Sequence, residues 1–204
     1  MKHCKIHFLG DTGIGKTSLL ITYTTKVCPG YCIPTSIYSF SQKIFNDDNE
    51  INFQIWDHCR SEGSSLRALG YFETDIFCIC FSIDNKQSLE NAEKKWIPEI
   101  KEECPGTPFI LVGIKGDLRD KNNVDIKPFN YFNAFEEKKL VPKKIAEYVA
   151  EKNGAHCYIE CSSINYNSIE VLFERVARIA MNSQEKLKEK EKEKLNEESC
   201  CIIS

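Results

Sequence analysis

Short apolar runs recur along the chain between longer stretches in which apolar and polar residues are mixed. Residues 76–81 form an uninterrupted apolar run, which is typical of a central strand buried on both of its faces. Residues 39–45 and 51–56 instead alternate apolar with polar side chains around an Asn- and Asp-rich turn, and this pattern predicts a hairpin. Six strands are predicted, at residues 5–9, 39–45, 51–56, 76–81, 109–113 and 157–160.

The segments between these strands show helical periodicity and helix-start signals, which predict helices there. Ser88 is expected to cap the second helix, and Pro98 within that helix weakens the prediction at that point. Residues 57–72 hold several glycines and serines and are predicted to form a loop with weak helical character. The predicted helices cover residues 16–25, 88–102, 142–152 and 168–180.

Strands that alternate with helices indicate an α/β fold, with a mostly parallel six-stranded sheet and helices on both faces. Ligands of such sheets bind at the carboxyl ends of the strands. The chain has 204 residues, of which 42% are hydrophobic, so it is long enough for one well-buried domain of this kind.

The composition indicates which binding partners and which cellular compartment to expect. A net charge of −3 provides no basic surface for nucleic acid, so we expect no nucleic-acid partner. The first residues lead directly into a strand, and no apolar run approaches the ~20 residues of a membrane span, so we expect a cytoplasmic location. Because Cys78, Cys80 and Cys161 fall in predicted strands, the eleven cysteines are interpreted as reduced thiols and not as a disulfide framework.

The spacing G-x-x-x-x-G-K-[ST] at residues 10–18 predicts a phosphate-binding loop between the first strand and the first helix. In such a loop the backbone N–H groups surround the phosphates and the helix dipole adds positive potential. Lys16 is the expected charge partner of the outer phosphates, and the Thr17 hydroxyl is the expected Mg²⁺ ligand. The predicted nucleotide contacts of the loop, which indicate a P-loop NTPase, are Asp11, Thr12, Gly13, Ile14, Gly15, Lys16, Thr17 and Ser18.

Two further oxygen-bearing side chains are candidates for the magnesium site. Asp57 follows a predicted strand and is expected to hold magnesium-bound waters, without contacting the metal itself. Thr35 in the long loop after the first helix is a candidate second hydroxyl ligand when a γ-phosphate is present. An ordinary turn threonine is the alternative interpretation of Thr35.

Base recognition is predicted for the residues that follow the strand at 109–113. Guanine offers two adjacent donors, N1–H and the 2-amino group, which suit the Asp117 carboxylate, and the stem of Lys115 can lie along the base. Leu118 beside them is expected to contact the nucleotide as well. Ser162 and Ser163 follow the last strand and are expected to close the pocket with a backbone N–H. A charged surface turn is the alternative interpretation of residues 115–120.

Several short motifs stand along the chain: residues 10–18, Ile33-Pro34-Thr35, Trp56-Asp57, Trp96-Ile97-Pro98-Glu99, Asp117-Leu118-Arg119-Asp120 and Glu160-Cys161-Ser162. Together they resemble the Rho/Rac branch of the Ras-like small GTPases. The resemblance covers residues 5 to about 180 and includes an insertion at about 121–140. It implies a small GTPase domain at 1–182 that binds GTP or GDP with Mg²⁺ and switches two loops with the γ-phosphate. It also implies a monomer whose partners are effector proteins, exchange factors, activating proteins and a dissociation inhibitor.

The resemblance implies Lys16, Thr35 and the position of Ser61 as catalytic, but the chain departs from the family there. Thr12 replaces the usual glycine beside the γ-phosphate, and Ser61 replaces the glutamine that orients the attacking water. Cys32 stands where a tyrosine usually covers the phosphates. We therefore expect GTP binding with slow hydrolysis and quick exchange.

Two further positions differ from the residues that are usual in the family. Cys28 stands where an aromatic side chain usually packs on guanine, and Ile114 replaces the usual Thr or Asn before Lys115. A hydrolysis-deficient, GTP-loaded scaffold that recruits effectors is the alternative function. A P-loop phosphotransferase is a third, and it would need arginines such as Arg60 and Arg67 over the phosphates.

The C-terminal residues 183–204 are expected to form a flexible, partly helical tail. Residues 185–198 hold five lysines and six glutamates, so this segment is not a polybasic membrane anchor. The last four residues fit the C-a-a-X motif, which predicts a prenyl group on Cys201, and Cys200 is a candidate for palmitoylation. These features predict attachment to the cytoplasmic side of the plasma membrane or an endomembrane, with a cytosolic pool.

Overall fold

The computed structural model describes residues 2–30, 37–46, 49–58, 64–119 and 140–201. These residues build one six-stranded sheet in the order β2-β3-β1-β4-β5-β6. The strands are β1 Lys2–Gly10, β2 Ile37–Asn46, β3 Asn49–His58, β4 Ile76–Ser82, β5 Phe109–Ile114 and β6 Tyr158–Cys161. The helices are α1 Lys16–Thr25, α2 Ser64–Gly70, α3 Lys86–Asn91, α4 Ile97–Glu103, α5 Lys143–Lys152 and α6 Tyr166–Cys201.

The strand pairing confirms the predicted mostly parallel sheet. β1 pairs in parallel with β3 and β4, and β5 pairs in parallel with β4 and β6. β2 runs antiparallel to β3, with Ile37 opposite His58 and Asn46 opposite Asn49, which confirms the hairpin. All six predicted strands are present, because their apolar patterns match the side of the sheet that each residue faces.

Two apolar layers cover the two faces of the sheet. All seven residues of β4 are buried, as the uninterrupted apolar run predicts. Ile76 and Cys78 belong to the layer under α1 and α6, whereas Phe77 and Ile79 belong to the layer under α3, α4 and α5. This alternation follows from the two-residue period of a strand.

The second predicted helix differs from the expectation at its start and in its middle. Asn85 and not Ser88 is the cap, because the Asn85 side chain accepts from the Ser88 N–H and the helix already begins at Lys86. A π-helical turn, Ala92–Trp96, joins α3 to α4, and the N–H of Ile97 bonds to the carbonyl of Ala92. This wider turn comes immediately before Pro98, which lacks the N–H that a regular turn requires.

The segment predicted as a loop at 57–72 contains α2, Ser64–Gly70, while residues 59–63 of the same segment lie outside the described residues. The predicted insertion falls mostly on residues 120–139, which also lie outside them. After the insertion, α5 begins at Lys143, one residue later than predicted, and Pro142 precedes it at the N-cap position without a capping hydrogen bond.

The last helix is longer than predicted. α6 was expected to end near Ala180, but it continues to Cys201 and has 36 residues. Lysine, glutamate and leucine, which make up most of residues 185–195, have high helix propensity. Gln184 also fastens this helix to the sheet, since its side-chain amide donates to the carbonyl of His3 at 3.0 Å and to Asp75 at 2.7 Å. Within the described ranges, no helix is both long and apolar enough to span a bilayer.

Candidate nucleotide site

The phosphate-binding loop lies between the end of β1 and the start of α1, as predicted. Gly10 requires glycine, because a Cβ atom there would lie 2.3 Å from the carbonyl oxygen of Cys80 in β4. Gly15, with φ of 109°, is the left-handed residue from which α1 starts. The first turn of α1 therefore directs its backbone N–H groups into the loop, where an anion is stabilised.

Lys16 is almost fully buried beneath this loop. Its Nζ donates to the carbonyls of Gly10 and Asp11, at 2.8 Å each. An ammonium group has three donors, and among the described residues these two carbonyls take two of them. The third donor is available to a phosphate oxygen, which is the partner that the sequence predicts for Lys16.

Thr17, the predicted Mg²⁺ ligand, and Asp57, the residue predicted to hold metal-bound waters, are in direct contact. The Thr17 hydroxyl donates to Asp57 Oδ2 at 2.5 Å. Asp57 is fully buried, and its Oδ1 atom has no hydrogen-bond partner within the described part of the chain. A buried carboxylate oxygen without a partner is costly, so this atom indicates a missing donor such as a metal-bound water. The two residues thus fit Mg²⁺, which keeps several waters and takes oxygen ligands.

The residues predicted to recognise the base lie directly after β5. Lys115 has φ of 67°, and its Nζ lies 3.1 and 3.2 Å from the two carboxylate oxygens of Asp84. Asp84 also accepts from the hydroxyl of Ser82 at 2.5 Å. Sequence reasoning missed Asp84, although it closely follows the apolar run of β4 at the predicted ligand edge of the sheet.

Asp117 meets the residues after β6, as expected. Its carboxylate accepts a short hydrogen bond from the hydroxyl of Ser162. The backbone N–H of Ser162 is occupied by the Ser168 hydroxyl at 3.0 Å, so Ser163 is the remaining candidate donor to a guanine oxygen. Leu118 is partly exposed beside them.

Two clefts open at this carboxyl edge of the sheet. One, of about 510 Å³, is lined by Asp117 and Ser162 together with the start of α6. The other, of about 240 Å³, brings Thr12 and Gly13 of the phosphate loop next to Asp84 and Lys115. The structure therefore brings the residues predicted to bind phosphate next to a residue predicted to recognise the base, although about half the length of the chain separates them.

The Asp11 side chain makes a contact that the sequence does not predict. Its carboxylate accepts from the side chains of Asn91, at 2.7 Å, and Trp96, at 3.0 Å. The Asp11 side chain therefore holds the phosphate loop against α3 and the π-helical turn, and its backbone remains for the nucleotide. No local sequence signal indicates this contact, because Trp96 lies 85 positions away.

Arg67 in α2 is held by a buried ion pair. Its guanidinium donates twice to Glu99, at 3.1 and 2.7 Å, and the Tyr71 hydroxyl donates to the same carboxylate at 2.7 Å. The hydrogen bond to Glu99 raises the pKa of Arg67. Burial alone would raise the pKa of Glu99, but the bonds from Arg67 and Tyr71 outweigh it and lower that pKa. Arg67 is thus committed to α4, which removes one arginine that a phosphotransferase would need.

Several predicted residues cannot be placed in this geometry. Cys32, Thr35 and Ser61 lie outside the described residues, and the same holds for the side chains of Cys200 and Cys201. Cys28 is described and is exposed to solvent.

Comparison with known proteins identifies the family. Residues 5–182 match the model of the Ras family. The chain is 34% identical over 187 residues to the Rho-related GTP-binding protein RhoV of Bos taurus, and the match covers 91% of this chain and 78% of that protein. The chain therefore belongs to the Ras family of small GTPases, and within it to the GTP-binding proteins of the Rho family.

Proposed function

We propose that this protein is a GTP/GDP switch of membrane-associated signalling that acts on the actin cytoskeleton, with slow intrinsic GTP hydrolysis. The observation that carries the proposal is the contact between Thr17 and Asp57 beside the buried Lys16. This arrangement combines a charge for the outer phosphates with oxygens for Mg²⁺, which are the two requirements of nucleotide triphosphate binding.

Each residue has a defined role in this proposal. Lys16 neutralises the outer phosphates, and Asp117 reads the guanine with Ser162 holding its carboxylate. Thr17 and Thr35 are the hydroxyl ligands of Mg²⁺, and Asp57 orients its waters. When bound, Mg²⁺ neutralises charge on the β- and γ-phosphates.

The slow hydrolysis follows from two substitutions. Ser61 is too short to hold a water in line with the γ-phosphate, and loss of such a group typically costs roughly 10²- to 10³-fold in rate. Thr12 lines the cleft next to Gly13, where its branched side chain crowds the reacting phosphate.

The alternative is a GTP-loaded scaffold whose hydrolysis is negligible and which is controlled by exchange or abundance. Ser61 and Thr12 favour this function as well, since both oppose turnover. The two functions differ only in the residual rate, so that rate decides between them.

Single-turnover hydrolysis of bound GTP by wild type, Ser61→Gln and the matched control Ser61→Ala measures that rate. We expect slow wild-type turnover, acceleration by glutamine and none by alanine. A rate below detection in wild type supports the scaffold. An ordinary small-GTPase rate in wild type would show that Ser61 does not limit catalysis, and failure to bind GTP would refute the switch itself.

The C-terminal arm completes the proposal. Residues 1–182 form the GTPase domain, and 183–204 carry a prenyl group on Cys201 and a palmitoyl group on Cys200 at the cytoplasmic face of a membrane. One lipid chain gives reversible binding, and the second makes attachment stable. The monomeric protein then meets effector proteins, exchange factors, activating proteins and a dissociation inhibitor there.

A further inference from the structure

Two turns of the structure share the spacing Ser-x-x-Asn-x-x-Ser. One covers residues 82–88 and leads from β4 into α3, and the other covers residues 162–168 and leads from β6 into α6. β4 and β6 flank β5 on its two sides. The matching turns therefore lie on either side of the strand that carries Lys115 and Asp117.

The first turn is closed by the hydroxyl of Ser88, which is fully buried. This hydroxyl accepts from the N–H of Ser82 at 3.0 Å and donates to the carbonyl of Asn85 at 2.6 Å. The Asn85 side chain in turn accepts from the N–H of Ser88 at 3.2 Å.

The second turn repeats these three bonds. The hydroxyl of Ser168 accepts from the N–H of Ser162 at 3.0 Å and donates to the carbonyl of Asn165 at 2.7 Å. The Asn165 side chain accepts from the N–H of Ser168 at 3.3 Å. Corresponding distances in the two turns agree within 0.1 Å.

The first serine of each turn leads to one base-recognition side chain. Ser82 donates its hydroxyl to Asp84, and the Asp84 carboxylate holds the ammonium group of Lys115. Ser162 donates its hydroxyl directly to Asp117.

We infer that Ser88 and Ser168 are positioning residues for guanine recognition, with Ser168 orienting Asp117 and Ser88 orienting Lys115. The inference rests on the proposed binding of guanine nucleotides and names further residues of that same site. Each acts through its neighbour, because fixing the backbone N–H of Ser82 or Ser162 also fixes the position from which that residue's hydroxyl donates.

The two serines have different consequences for binding. The Asp117 carboxylate distinguishes guanine from hypoxanthine, since only guanine presents the 2-amino donor. The Lys115 stem lies along the face of the base, which both bases share. Loss of the Ser168 hydroxyl therefore reduces discrimination between the bases, whereas loss of the Ser88 hydroxyl weakens binding of both.

Competition of GDP and IDP against a fluorescent GDP on the full-length protein tests this difference. For Ser168→Ala we expect the Kd of IDP divided by the Kd of GDP to fall about five-fold, which corresponds to the loss of roughly one hydrogen bond. For Ser88→Ala we expect both Kd values to rise together with an unchanged ratio. Thr24→Ala removes a comparable hydroxyl, one that donates to Leu20 in α1, and is expected to change neither quantity.

A second variant separates positioning from folding. Ser168→Thr retains the hydroxyl and should restore the wild-type ratio even if Ser168→Ala lowers the melting temperature. An unchanged ratio in Ser168→Ala, or parallel effects of both alanine variants on both nucleotides, would overturn the inference while leaving guanine-nucleotide binding intact. A wild-type protein that binds neither nucleotide would instead refute the proposed function and the inference with it.

Discussion

The hydroxyl of Thr17 donates a 2.5 Å hydrogen bond to Asp57, which joins the first turn of α1 to the end of β3. The second Asp57 oxygen is buried and has no partner among the described residues. The geometry therefore leaves one carboxylate oxygen available at the position where the proposed function places a water of Mg²⁺.

Replacing Thr17 by valine should remove the effect of Mg²⁺ on nucleotide release. Valine keeps the shape but loses the hydroxyl, and loss of one such ligand or its support typically costs 10- to 100-fold in metal affinity, in round terms. Release of a fluorescent GDP, measured with Mg²⁺ and with EDTA, checks this. Thr25→Val, at an exposed position of the same helix, is the matched control. Release of GDP from Thr17→Val that Mg²⁺ still slows as in wild type would contradict the metal site.

Replacing Asp11 by alanine should destabilise the protein and loosen the phosphate loop. The buried indole N–H of Trp96 and the amide of Asn91 both lose their acceptor, which costs about 1–3 kcal/mol for an unsatisfied buried donor. Urea unfolding followed by tryptophan fluorescence measures the loss. Asp11→Asn keeps one acceptor oxygen and should lie between wild type and alanine; equal stability of all three would show that the contact contributes nothing.

The ion pair of Arg67 with Glu99 predicts a pH-dependent contribution to stability. The pKa of Glu99 is lowered in the folded protein, so its contribution is complete above the unfolded pKa of about 4.3 and is lost as the pH falls through the folded value. Glu99→Gln leaves a buried guanidinium uncompensated and should cost about 3–5 kcal/mol at pH 7. The difference in unfolding free energy between Glu99→Gln and wild type should decrease below about pH 4.

Urea unfolding of Glu99→Gln and wild type at pH 7 and below about pH 4 measures this difference. Glu90→Gln is the control, because Glu90 forms exposed ion pairs with Lys86 and Lys94, which contribute little. A gap for Glu99→Gln that stays constant with pH would exclude ionisation of Glu99 as its cause.

Alkylation should separate the cysteines by burial. Burial raises the pKa of Cys4 and Cys78 well above the ordinary value, and that of Cys161 to about 12, so these thiols carry negligible thiolate at pH 8. Cys28 is exposed and should react with iodoacetamide before these three buried thiols do. Peptide mass spectrometry of native and denatured protein checks the order. Native labelling of Cys78 at the rate of Cys28 would contradict the buried core.

Replacing Cys201 by serine should move the protein from membranes to the cytosol. The prenyl group supplies the membrane affinity in the proposal, and the mixed charges of 185–198 do not replace it. Fractionation of cells that express wild type, Cys201→Ser and Cys200→Ser measures the partition. We expect full release for Cys201→Ser and partial release for Cys200→Ser; unchanged partition of Cys201→Ser would refute the anchor.

The sequence alone predicted the elements whose signals are local. α1 begins and ends at the predicted residues, and the hairpin and β4 follow from alternating and continuous apolar patterns. The phosphate loop could be predicted from the sequence because its glycines, Lys16 and Thr17 lie within nine consecutive positions. A short stretch suffices where the backbone itself makes the site.

Tertiary structure decided the contacts between distant positions. Three side-chain contacts depend on which elements the order of the strands makes adjacent. They are the hydrogen bond of Trp96 to Asp11 and the ion pairs of Lys115 with Asp84 and of Arg67 with Glu99. The docking of α6 on the sheet is also a tertiary contact, because Gln184 bonds to His3 and Asp75, which lie 181 and 109 positions away along the chain. Local patterns set which residues are helix, strand or phosphate loop, whereas a side chain's partner is set by distances in space that the spacing along the chain does not contain.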